Sequence, residues 1–88
     1  PEEGEEKSVE GLVDKVRTAN QELTILGIDF DTQGVEEFED VDGGEISIED
    51  INENDIVEVE WTDPPTAGPR TFMFPIEVDE VEREEDNS

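Results

Sequence analysis

The sequence predicts an all-β domain with one short helical turn, and three stretches carry that reading. Val57, Val59 and Trp61 alternate with Glu58 and Glu60, so one side of the stretch is apolar and the other charged. Phe72, Phe74, Ile76 and Val78 alternate in the same way. Leu23 and Ile25, then Ile28 and Phe30, do so on either side of Leu26-Gly27, a pair suited to a two-residue hairpin loop. A period of two is the mark of a strand with one buried face.

In chain order, residues 1–7 (PEEGEEK) have no period and read as an acidic, solvated, disordered leader. From Ser8 a first strand begins. Val9, Gly11 and Val13 share a face while Leu12 and Val16 fall off that parity, which a bulge or sharp bend between Gly11 and Asp14 reconciles. Ala19-Asn20 is a turn, followed by the hairpin of Leu23 to Phe30. Thr32 to Gly34 breaks the strand, and Val35 and Phe38 fit a short edge strand. Asp42-Gly43-Gly44 turns the chain into Ser47, whose spacing to Asp50 marks a capped helical turn with Ile48 and Ile51 on one side.

Asn54-Asp55 is a corner, asparagine being among the few residues other than glycine that tolerate a left-handed backbone. The strand from Asp55 to Thr62 follows, then a loop over residues 63–70 (DPPTAGPR) and the strand of Phe72 to Val78, which Val81 extends. Pro75 lies on the opposite face of that last strand and argues for a free edge there. Residues 83–88 form an acidic, disordered tail, so the domain is expected over residues 8–82. Three strands, a short helix and two or three more make a small five- to six-stranded antiparallel, OB-like barrel. Closing such a sheet also protects its edges. The expected core is Val9, Val13, Leu23, Ile25, Ile28, Phe30, Val57, Val59, Trp61, Phe72, Phe74 and Ile76.

With 88 residues, the chain is long enough for one domain with a small core. It has 29 acidic and 5 basic residues, a net charge of −24, of which −19 falls on residues 8–82. Such a surface repels phosphate backbones and anionic headgroups, so no nucleic-acid partner is expected. No apolar run approaches the ~18 residues of a membrane helix, so no membrane insertion is expected. Cysteine and histidine are both absent, which removes thiolate chemistry and the commonest general base and metal ligand. A chain that begins at Pro1 reads as part of a longer one, with any signal peptide or lipid anchor outside it.

The pattern V-x-G-x-V at Val9–Val13, E-L-T-I-x-G-I-x-F at Glu22–Phe30 and I-S-I-E-D-I-x-x-N-D-I-V-E-V-E at Ile46–Glu60 resembles a family of bacterial domains of unknown function. Those are small β-barrels of secreted and cell-envelope proteins, often in tandem. Asn54 stands where that family usually has glycine, a swap the left-handed geometry permits. The resemblance spans about residues 8–82 and implies the fold and an extracytoplasmic setting. It carries over no catalytic residue.

One constellation suggests a metal. Asp40, Asp42, Glu45, Glu49 and Asp50 fall in a segment that resembles an EF-hand calcium loop with one residue deleted at the fifth position. Calcium is a hard cation that takes several oxygen ligands, and these five carboxylates supply them. An acidic turn in an acidic protein accounts for the same residues, and the deletion shifts the ligand register. Carboxylate pairs are too common among 29 acids to signal glycosidase chemistry, and Ser8, Ser47 and Ser88 have no histidine to activate them. No cofactor is expected beyond that calcium candidate.

Trp61, Phe72 and Phe74 serve the core before they serve a ligand platform, and Arg70 is the lone base between Arg17 and Arg83. The leading expectation is therefore a non-enzymatic, monomeric interaction or spacer module of a larger bacterial envelope or secreted protein, with protein partners or tandem copies. A calcium-responsive module using residues 40–50 and an OB-type domain binding peptide or glycan are the alternatives. Abundant acids and few lysines also suit a high-salt habitat.

Overall fold

The computed structural model describes residues 5–63 and 75–85. Its strands are β1 (Glu5–Arg17), β2 (Glu22–Ile25), β3 (Ile28–Asp31), β4 (Glu37–Glu39), β5 (Ile56–Asp63), β6 (Ile76–Glu77) and β7 (Glu80–Glu84), with one 3-10 turn at Ile48–Asp50. The all-β class is as expected. The expected core positions Phe72 and Phe74, and Arg70, lie outside the described residues.

The strands lie in the order β4-β7-β5-β1-β2-β3-β6. β1 organises them. Its first half pairs antiparallel with β5, from Glu5 opposite Asp63 to Leu12 opposite Ile56. Its second half pairs antiparallel with β2, and the register slips between Val13 and Lys15. The bulge falls at Asp14, within the stretch where the conflict of parities places it, and the Asp14 carboxylate accepts the Gly27 N–H at 3.1 Å. The long strand thus bends and serves two half-sheets, β4–β7–β5–β1 and β1–β2–β3–β6.

The turns follow from local chemistry. Leu26 and Gly27 both have positive φ, at 53° and 78°, and join Ile25 to its cross-strand partner Ile28. Asn54 is left-handed at φ 76°. Its N–H donates to the Val13 carbonyl at 2.9 Å, and the Val13 N–H donates to the Asp55 carbonyl at 2.9 Å. The corner before β5 is thereby tied to the bend in β1. At the 3-10 turn the Asp50 carboxylate accepts the Ser47 N–H at 2.9 Å, as the spacing of the two residues suggests.

Three expectations are corrected. Among the described residues the sheet is not a closed antiparallel barrel of five to six strands but a mixed sheet of seven, with no ladder joining β4 to β6. β4 runs parallel to β7, and β6 parallel to β3. The reason lies in the last strand, which is two strands. The Val78 N–H donates to the Asp31 carbonyl while the Asp79 N–H donates to the Glu60 carbonyl, so the chain steps from one half-sheet to the other. β1 starts at Glu5, because Glu5, Glu6 and Lys7 find ladder partners in β5, so these three belong to the strand and not to a leader. β7 runs to Glu84, and Arg83 belongs to the domain rather than to a tail.

Val13, Leu23, Ile25, Phe30, Val57 and Val59 are buried as expected, joined by Phe38, Ile48, Ile51, Val78 and Val81. Val9, Ile28, Trp61 and Ile76 pack against them, half-buried. Phe30 of β3 meets Trp61 of β5 with ring centroids 5.4 Å apart and tilted by 45°, an aromatic link between the half-sheets. Gly11 is explained by crowding: a Cβ there would stand 3.1 Å from Ile25 Cγ2 and 3.3 Å from Leu26 Cγ.

Candidate functional site

The alternation that buries Val57, Val59 and Val81 must turn their neighbours outward. Across β1, β5, β7 and β4 the register then sets Glu10 opposite Glu58, Glu58 opposite Glu82, and Glu82 opposite Glu39. The next row sets Ser8, Glu60, Glu80 and Glu37 side by side, and Glu84 lies opposite Ile56. Eight glutamates therefore share one face, seven of them directly opposite another glutamate, where like charges destabilise. Carboxylate oxygens of Glu58, Glu82 and Glu84 all lie within 4.8 Å of one another.

The electrostatics follow that crowding. Partial burial raises the carboxyls of Glu58 and Glu84 above their ordinary range, and neighbouring glutamates raise them further. Glu80 is raised first by a hydrogen bond with Glu60 across the ladder, and Glu39 by one with Glu37 along its own strand. A carboxyl and a carboxylate sharing a proton in this way hold it to higher pH than either alone.

The calcium candidates are placed otherwise. Asp40 accepts the N–H of Val41 at 2.7 Å and pairs with Arg83 at 2.7 Å. Those bonds, the backbone one first, hold its carboxyl below the usual carboxylate range. Asp42 accepts the Gly44 N–H at 2.9 Å, and Asp50 caps Ser47. Among the described residues, Asp40, Asp42, Glu45, Glu49 and Asp50 form no group of three with carboxylate oxygens mutually within 4.8 Å. The segment is a tight hairpin, with Gly43 at φ 86°, the Asp40 N–H on the Gly44 carbonyl and the Gly43 N–H on the Asp40 carbonyl. Arg83 ties it to the rest of the domain: it also donates to the Asp50 carbonyl at 2.9 Å and lies 3.6 Å from Asp55.

A cleft of about 620 Å³ opens between this segment and the turn that joins β1 to β2. Glu36, Glu37, Glu39, Glu45 and Glu49 line one side, Val35, Phe38, Ile46 and Ile48 provide its apolar surface, and Thr18, Gln21 and Gln33 stand on the other side. Sequence reasoning missed both the glutamate face and the cleft, because each is assembled from segments distant in the chain. The acid-rich alternation of residues 57–61 and 80–84 was the available signal, and the strand register gives it meaning. No protein-family model, no curated protein and no solved structure matches this chain.

Proposed function

We propose that this chain is a non-enzymatic interaction or spacer module of a larger bacterial envelope or secreted protein. The glutamate face carries the reading. Seven carboxylates set opposite one another in register cost the fold stability, and a face built only to be solvated has no need of that arrangement. A one-signed face repels anionic polymers and like-charged copies while drawing in cationic segments. That suits a module that keeps neighbouring domains apart or meets a partner, and it favours a monomer.

The resemblance of the Ile46–Glu60 stretch to envelope-protein barrels supports the extracytoplasmic setting. For the architecture we keep an OB-like barrel left incomplete, since β1 and the segment from Ile76 to Glu84 each serve both half-sheets. The cleft favours a second reading, an OB-type domain that binds peptide rather than glycan. Among the described residues that line it Phe38 is the lone aromatic, and at 8% exposed it offers sugars no stacking surface.

The test is removal of residues 5–85 from the parent protein in its native cell, followed by fractionation, crosslinking and assay. A crosslinked neighbour lost or a surface epitope displaced, with chemical turnover unchanged, supports the module. An enzymatic activity lost on deletion and restored by the purified domain overturns it.

A further inference from the structure

We propose that the cleft between residues 43–49 and the β1–β2 turn binds an extended polypeptide segment that carries lysine or arginine. The proposal rests on the interaction-module reading and names the ligand class of its peptide-binding form. Shape and chemistry point to it together. About 620 Å³ is within the ordinary range for a ligand pocket and accommodates more than an ion. Lysine and arginine combine an aliphatic stem with a charged head, and the cleft offers a counterpart to each. Val35 and Ile46, both partly exposed, offer apolar surface for the stem, while Glu45 and Glu49 offer carboxylates for the head. Hydroxyl and amide groups on the facing wall suit the polar backbone of an extended chain.

Both walls are built before any ligand arrives. On one, the backbone of Gln21 is held left-handed at φ 56°, its carbonyl accepting both the N–H and the hydroxyl of Thr32 at 2.8 Å. On the other, the Ile46 N–H donates to the Phe38 carbonyl at 2.9 Å and Glu39 bridges Glu45. Preorganisation of this kind lowers the ordering cost of binding. The described residues that line the cleft include no lysine or arginine, so the charge is complementary to a cation and to nothing anionic.

The experiment is fluorescence polarisation of a short labelled peptide alternating lysine and threonine, at about 0.15 M NaCl, where diffuse attraction is largely screened. Two paired variants separate the cleft from the glutamate face: Glu45→Gln with Glu49→Gln, and Glu58→Gln with Glu82→Gln. All four side chains lie on the surface or partly exposed, and a thermal melt confirms that each variant folds. The expected result is roughly tenfold weaker binding for the first pair and less than about twofold for the second. Amide shifts at Phe38, Ile46 and Ile48 on titration would accompany it. Equal weakening by both pairs means diffuse attraction and overturns the cleft while leaving the module reading intact. Spermidine binding as tightly as the peptide overturns the polypeptide assignment. No binding at all overturns the proposal, and the deletion experiment then decides the module reading on its own.

Discussion

On the outside of β2 and β3, Arg17 lies 3.8 Å from Glu22 and 3.5 Å from Asp29, and the Thr24 hydroxyl donates to Asp29 at 2.6 Å. On the outside of β5 and β7, Glu58 faces Glu82 on one side and Glu10 on the other. The same long strand borders both faces and the same core lies beneath them. On the first face, the Thr24 hydroxyl and then the Arg17 charge hold the Asp29 carboxyl below its ordinary range. On the second, burial and like charge push Glu58 and Glu84 up. Two faces of one small sheet thus respond to acid with opposite signs, and the contrast separates charges that hold the fold together from charges it carries at a cost.

The strongest way to break the comparison is to cut what the two halves share. Phe30→Ala removes the ring that meets Trp61 across the half-sheets and should cost roughly 3–5 kcal/mol. That is a large part of the ~5–15 kcal/mol of a typical domain. Urea unfolding followed by Trp61 fluorescence and by circular dichroism should show one coincident transition, far lower in urea. Two separated transitions would mean that the halves fold independently. Arg83→Gln should have a smaller effect of the same sign, because the Asp40 hairpin and the Asp50 carbonyl lose a shared donor. Faster amide exchange confined to residues 40–50 is the expected signature.

The charge contrast itself predicts opposite signs for similar substitutions. Glu58→Gln removes repulsion from both neighbouring strands and should raise stability at neutral pH by roughly 0.2–1 kcal/mol. Arg17→Gln on the other face should lower it by a similar or smaller amount. The pH dependence sharpens the point. Glu39, Glu58, Glu80 and Glu84 have folded-state pKa values above the ordinary 4.5, so the native state binds more protons than the unfolded one. Their favourable contribution is complete below that value and fades as pH rises through the folded values. Asp29 and Asp40, lowered from 3.8, contribute above that pH and lose their contribution as pH falls through their folded values. Stability should therefore peak in mild acid, near pH 4 to 5. Glu58→Gln should flatten the alkaline side of that peak and leave the acid side alone. A wild-type melting temperature that rises steadily from pH 5 to 7 would contradict the glutamate face as the source of the strain.

What could be read from the sequence was whatever local chemistry decides. The Leu26-Gly27 hairpin, the left-handed Asn54, the bulge near Asp14 and the edge strand at Phe38 each declare themselves within a few residues. Partnership does not. Alternation says which residues share a face but not which strand lies beside them, so nothing in Glu58 announces Glu82. The split of the last strand was legible in hindsight: Val78 and Val81 differ in parity, and an unbroken strand would turn one of them outward. Arg83 looked like tail because its acidic neighbours hide a role that depends on Asp40, far away in the chain.

The smallest expected effect concerns calcium. The loop from Asp40 to Asp50 offers five acids, but three of them already accept hydrogen bonds within it, and Asp40 also has Arg83 as a counter-ion. Those bonds use one oxygen of each carboxylate, the Arg83 charge offsets that of Asp40, and no three of the five acids bring their oxygens together, so little is arranged to hold a cation there. The glutamate face attracts any cation by its field, which monovalent salt imitates and screens. Millimolar calcium should therefore raise the melting temperature no more than magnesium, or than NaCl at equal ionic strength. If calcium alone stabilises the protein, two variants locate the cause. Loss of the difference in Asp42→Ala assigns it to the loop and restores the EF-hand-like reading. Loss in Glu82→Gln assigns it to the three carboxylates gathered around Glu58, and the two faces then differ in ion binding as well as in strain.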